Sequence, residues 1–185
     1  MFPTRREVIA GLSLSAAGAA APLTGLTAPR LAAAGAAPEE ISHAAEAIHQ
    51  EVSLQADPAR VYSALTDAKQ FEQVTQLSAA VKSGMVKAPK PAEIGRAPGS
   101  PFSLFGGIIS GRLLELVPNA RIVQAWRAGD WAAGIYSIAR FELVKTATGT
   151  RLVFDHTGFP KGDGEHLAQG WRENYWEPLA GFLAE

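Results

Sequence analysis

From Asp163 to Ala184, large apolar residues recur at helical spacing: Leu167, Trp171, Tyr175, Leu179, then Phe182 or Leu183. Arg172, Glu173 and Glu177 fall off that line, so the segment reads as a long helix with one buried stripe. At about 1.5 Å per residue it can cross an entire sheet. Pro178 is expected to bend it, because proline removes a backbone hydrogen bond and crowds the preceding turn. Gly170 leaves room for something to approach Trp171 closely. Such a helix needs a broad apolar surface to lie on, and the rest of the chain has to supply it.

The segments before it supply strands. Ile48, Gln50, Val52 and Leu54 alternate with His49, Glu51, Ser53 and Gln55, the pattern of a strand with one mostly apolar face. Asp57-Pro58 then opens a short helix: an acceptor at the cap, followed by proline where a missing N–H costs nothing. Val61, Tyr62 and Leu65 are its buried stripe, and residues 68–74 read as a second helix. Residues 88–99 are rich in Pro and Gly and read as a loop. Strands are expected over 102–105, 108–117, 121–127, 134–145 and 150–157, with turns at Gly106-Gly107, Pro118-Asn119 and Gly149. Consecutive strands with short turns pair antiparallel, and the last helix buries its stripe against them. The expected fold is α+β, a helix grip. Its curved antiparallel sheet wraps around the long C-terminal helix, with two short helices after the first strand and a mostly apolar cavity beneath the long one.

At that point a series of motifs becomes recognisable. In order, they are Phe102-Ser103-Leu104-Phe105-Gly106-Gly107, Gly111, Glu115-Leu116-Val117-Pro118, Ile122-Val123-Gln124-Ala125-Trp126-Arg127, Trp131 and Gly134. Thr150-Arg151-Leu152, His156-Thr157-Gly158-Phe159-Pro160 and Gly170-Trp171 with Tyr175 complete it. The series closely resembles the family named for activators of the heat-shock protein 90 ATPase, within the START-like (SRPBCC) superfamily of helix-grip ligand-binding folds. The resemblance runs from about Ile48 to Leu183. It implies the fold more sharply than the activity, because that superfamily includes lipid carriers, hormone receptors, cyclases, hydrolase-like members and co-chaperones.

The N-terminus reads as a leader. Arg5-Arg6 precede a weakly apolar run of Ala, Gly, Ser and Leu from Val8 to Ala21, which Pro22 interrupts. That run is too short to span a membrane, which takes about 20 residues. The arginine pair resembles a twin-arginine signal. Small-x-small cleavage sites occur at Ala17-Gly18-Ala19 and Ala34-Gly35-Ala36, and the second is favoured because residues 22–38 carry no periodic pattern. Residues 1–36 are therefore taken as export signal and linker, and residues 37–185 as the START-like domain. The expected location is periplasmic or extracellular, with a cytoplasmic protein bearing a disordered tail as the alternative. A periplasmic protein would not meet a cytosolic chaperone, so export speaks against a chaperone partner.

Composition removes several function classes. With a formal net charge of -1 and no basic stripe, nucleic-acid binding has no electrostatic support. No membrane span is expected in the mature part. The absence of cysteine excludes thiol catalysis, disulfides, iron–sulfur clusters and thiolate zinc sites. Four histidines spread from His43 to His166 without paired spacing give no expectation of a metal site. Gly106-Gly107 lacks the following helix of a phosphate loop. No cofactor is expected.

The remaining candidates surround the cavity. Phe102, Phe141 and Phe154 would line it on the sheet side, and Trp171 and Tyr175 would roof it, unless they are simply core. Thr150, Leu152, Phe154 and His156 share one face of their strand, while Arg151, Val153 and Asp155 share the other. His156 is expected near the cavity mouth, where it orients a ligand or shuttles a proton, or else is a satisfied polar spot. Arg127 could clamp a carboxylate with Trp126 as an apolar wall, or pair with Asp155 or Asp130. Three functions follow. The first is binding or carriage of a small apolar molecule. The second is a cyclase- or hydratase-type enzyme using His156 with Asp155 or Tyr175 as acid and base. The third is a protein-binding module like the co-chaperones.

Overall fold

Strand β1 (Ala47–Leu54) turns Ile48 and Leu54 inward, as its alternation predicts. It pairs antiparallel with the last strand, β7 (Gly149–Thr157), rather than with the next one. The computed structural model describes residues 46–86 and 90–185, which fall within one compact unit. The leader and its cleavage sites lie outside the described residues.

Two short helices follow β1. Asp57 caps α1 (Pro58–Thr66) by accepting the Arg60 N–H at 2.8 Å, and Val61, Ala64 and Leu65 face the core. Asp67 ends α1 and starts α2 (Ala68–Gln76), accepting from the N–H groups of Lys69 and Gln70 at 3.0 Å. Each cap satisfies donors that the first helical turn leaves free. A third helix, α3 (Ala79–Lys82), was not expected; at four residues it is too short to show a period. The expected loop over 88–99 holds the short strand β2 (Glu93–Ile94), which pairs with β3 (Pro101–Leu104).

The chain then runs as a meander. Phe105 leaves the strand it was expected to join and sits at φ 51° in a tight turn with Gly106 and Gly107. Strands β4 (Ile109–Val117), β5 (Arg121–Ala128) and β6 (Ser137–Thr146) lead back to β7, all antiparallel. The order is β1-β7-β6-β5-β4-β3-β2. Gly111 has no room for a side chain: an added Cβ would strike the Ala125 carbonyl oxygen and the Phe102 ring.

The C-terminal element is helical but not one α-helix. It comprises α4 (Gly164–Trp171), a π turn over Arg172–Trp176, and α5 (Glu177–Leu183). A stripe spaced every four residues drifts around a helix of about 3.6 residues per turn, by about 40° per step. The wider π turn takes up that drift. It keeps Leu167, Trp171, Tyr175 and Leu179 inward and also turns Trp176 inward, although the spacing had left Trp176 off the stripe. Pro178 then falls in the first turn of α5, where its missing N–H is tolerated.

Beneath this helix the aromatic rings close the space. Phe154 lies 4.3 Å from Trp171, Phe141 lies 5.0 Å from Phe154, and Trp171 stacks on Trp176 at 5.5 Å, centroid to centroid. What remains is a void of about 10 Å³ bordered by Leu65, Phe71, Phe102, Phe141 and Tyr175. It has room for about one water. The cavity expected under the middle of the helix is therefore filled by side chains, and the open space lies to one side.

Candidate functional site

That open space is a cleft of about 790 Å³ beside the first half of the C-terminal helix. Three parts of the fold bound it: α3 with the residues after it, the bend that joins β3 to β4, and the end of β5 with its loop. Its apolar wall carries Phe105, Ile108, Trp126, Trp131, Trp171 and Tyr175. The floor on the helix side is low at Gly170, where an added Cβ would meet no atom within 4 Å. Asp130, Asp163 and Glu173 give the lining its carboxylates, and His166 adds an imidazole.

Hydrogen bonds of Asp163, Glu46 and Asn174 hold the mouth in shape. The Trp131 Nε1–H donates to Asp163 Oδ2 at 3.0 Å, tying the β5–β6 loop to the start of α4. Asp163 is thus drawn away from capping its own helix. Glu46 accepts the N–H groups of Gly162 and Gly164 there instead, at 3.0 and 3.2 Å. Asn174 holds the opposite wall, accepting the Ala80 N–H at 2.9 Å and donating to the Gly170 carbonyl at 3.1 Å.

His156 is not at the mouth. It is fully buried among Trp126, Phe154, Phe159 and Trp171. Trp171 Nε1–H donates to its Nδ1 at 3.0 Å, and its Nε2 lies 2.6 Å from Ser137 Oγ. The Ser137 hydroxyl donates to the Trp126 carbonyl at 3.0 Å, so Nε2 carries the proton and the imidazole is neutral. Burial pushes its pKa down to about 4, and in this neutral form both nitrogens are satisfied.

Asp155 lies on the other face of β7, partly exposed, and pairs with His49 Nδ1 at 2.7 Å. The acid–base pair of His156 with Asp155 is therefore not assembled, because adjacent strand residues point to opposite faces. Arg127 is not among the residues lining the cleft and pairs with neither Asp155 nor Asp130. Its guanidinium donates to the Trp131 carbonyl at 2.6 Å and the Ala128 carbonyl at 3.4 Å, bracing the loop.

Of the residues named from sequence, Trp126, Trp171 and Tyr175 come together on the cleft wall. Phe102 and Phe141 border the small void, and Phe154 and His156 belong to the packed core. Sequence reasoning had no way to place Phe105, Ile108 or the segment near α3 at the site. Trp131 was visible as one of the family motifs, and Gly170 as a gap beside Trp171. Among the described residues, no group of three or more His, Asp or Glu side chains is placed to hold a metal ion. None of their helices is long and apolar enough to cross a membrane.

Comparison with known proteins gives one family. A family model described as "Activator of Hsp90 ATPase homolog 1-like protein" matches residues 55–184. Activator of 90 kDa heat shock protein ATPase homolog 2 from Mus musculus is 31% identical over 93 residues, covering 50% of this chain and 28% of that protein. Homolog 1 from Homo sapiens is 30% identical over 89 residues, covering 48% and 26%. The matched part is thus little more than a quarter of either relative's length. The crystal structure of an HSP90 activator from Plasmodium falciparum superposes with a TM-score of 0.61 at 25% identity, covering 76% of this chain and 96% of that one.

Proposed function

The chain belongs to the Activator of Hsp90 ATPase homolog 1-like family, and we propose that this member binds a small apolar molecule in the cleft beside its C-terminal helix. The observation that carries this reading is the cleft itself: about 790 Å³ with a mostly apolar wall that includes five aromatic side chains. Sites for small molecules run to roughly 300–1,000 Å³ and are lined in this way, with few polar groups. The cyclase or hydratase reading has less support, since His156 is buried and fully bonded, Asp155 points away, and the Tyr175 hydroxyl makes no hydrogen bond to His156. Native mass spectrometry of protein purified from its natural host tests the binding. A co-purifying small molecule that the Gly170→Leu variant fails to retain is the expected outcome. A wild-type protein that carries no such molecule and takes up none from host extract would count against it.

A second reading is a protein-binding module, as the relatives' names suggest. Met85, Tyr136 and Ile108, which are 74%, 50% and 45% exposed, give it some apolar surface. Adding the purified protein to the heat-shock protein 90 ATPase and following ATP turnover tests it, with stimulation as the favourable result.

We also propose that residues 1–36 direct export by a twin-arginine route, on the strength of Arg5-Arg6 and the small-residue cleavage site ending at Ala36. Arg5→Lys with Arg6→Lys should abolish the processed extracytoplasmic form. An uncut wild-type protein found only in the cytoplasm would contradict this.

A further inference from the structure

Two side chains on the inner wall of the cleft carry polar atoms that nothing satisfies. Trp126 Nε1–H and the Tyr175 hydroxyl are buried and have no hydrogen-bond partner among the described residues. Their residues are only 3% and 6% exposed, and both line the cleft. Leaving one such group unpaired is costly, so a folded protein rarely keeps one without a use for it. Here two stand side by side. Burial holds the Tyr175 hydroxyl protonated, well above the ordinary phenol range, and the neighbouring Trp126 indole acts in the opposite direction. The two atoms do not meet hydrogen-bond geometry with each other. An indole can only donate, and a neutral phenol is free to donate, so the pair offers two donors to one place.

The surroundings suit a guest at that place. Tyr175 divides the open cleft from the small closed void, bordering both. The ring of Phe105 packs on it with centroids 5.4 Å apart. Phe105 sits at φ 51°, a left-handed conformation that costs a phenylalanine energy, and Gly106 and Gly107 follow at 69° and 98°. The wall beside the two donors is thus carried on a strained, glycine-rich bend.

We propose that the cleft selects neutral carbonyl compounds on an apolar frame, their oxygen accepting from both Trp126 Nε1–H and the Tyr175 hydroxyl as the Phe105-Gly106-Gly107 bend gives way. This rests on the ligand-binding reading above and specifies which ligands the cleft takes. A carbonyl oxygen has two lone pairs and no hydrogen, so one atom satisfies both donors, whereas a hydrocarbon leaves both unpaired. A carboxylate would accept equally well but carries its charge into a cleft that already holds Asp130, Asp163 and Glu173.

The test compares 2-acetylnaphthalene with 2-isopropenylnaphthalene, which has the same shape with a methylene in place of the oxygen. By isothermal titration the ketone should bind at least about tenfold more tightly, the value of roughly one good hydrogen bond. Tyr175→Phe removes an unpaired hydroxyl and should fold normally; in it the preference should shrink to about threefold or less. The carbonyl stretch of the bound ketone should lie at lower wavenumber in the wild type than in Tyr175→Phe. Trp126→Phe should act in the same direction but also trims the core, so Tyr175→Phe is the deciding variant. Equal affinity for the two probes, or a preference unchanged in Tyr175→Phe, would overturn the inference while leaving the cleft a binding site. No saturable binding of either probe would overturn both this inference and the reading on which it rests.

Discussion

Trp171 Nε1–H, on the C-terminal helix, donates to His156 Nδ1, on the last strand, across 3.0 Å in a region closed to water. The bond fixes the helix on the sheet at the inner end of the cleft, and it exists only while the imidazole is neutral. Its continuation through Ser137 to the Trp126 carbonyl ties β7 and β6 to β5, whose Trp126 lines the cleft.

A pH dependence follows from this bond. Burial holds the folded pKa of His156 down to about 4, against about 6.5 for a free histidine. Between those values the unfolded chain binds a proton that the folded chain refuses. Stability from this group is therefore complete above pH 6.5 and falls as the pH drops toward 4, by on the order of 3 kcal/mol. His49, whose pKa is raised by its bond to Asp155, has the opposite sign, its contribution fading as pH rises; it is exposed and screened. Urea unfolding at pH 7.5 and 4.5 should show a lower midpoint in acid, with the difference much reduced in His156→Gln.

Gly170→Leu separates binding from folding. The residue lies inside α4 and lines the cleft, and an added Cβ meets no atom within 4 Å. Leucine is the better helix former by up to about 1 kcal/mol, so thermal unfolding should be unchanged or raised. Binding of 2-acetylnaphthalene should fall by about tenfold or more as the side chain occupies the site.

Asp163→Ala unties the Trp131 indole from the start of α4. The loss should cost about 1 kcal/mol. Its effect should be local, with amide exchange of residues 129–136 accelerating several-fold while the central strands stay protected.

Trp176→Phe keeps most of the ring volume but leaves Gln50 Oε1, which now accepts from the indole at 2.5 Å, without that donor. A loss of about 1–2 kcal/mol is expected in the unfolding midpoint, with ligand affinity nearly unchanged.

Much of the fold was legible because periodicity reports which face is buried. The stripe from Leu167 to Leu179 and the alternation from Ile48 to Leu54 both faced inward. Elements too short for a period, α3 and β2, gave no signal. Trp176 escaped because its inward turn comes from a π turn, which the spacing of the stripe does not announce. The site was harder to read. Alternation puts Phe154 and His156 on the inner face, but whether that face is pocket or core depends on how fully the rings of Trp171 and Trp176 fill the space. Arg127 was read by its charge, whereas its surroundings offer it backbone carbonyls to brace.

The most direct measurement is a ¹⁵N–¹H NMR titration of the protein with 2-acetylnaphthalene, in which the four tryptophan indoles of the chain serve as internal reporters. Binding in the cleft predicts saturable shifts at the amides of Gly129 and Gly170 and at the Trp131 indole, with the Trp176 indole nearly still. An absence of saturable shifts, or shifts confined to the outer face of the sheet, would contradict it.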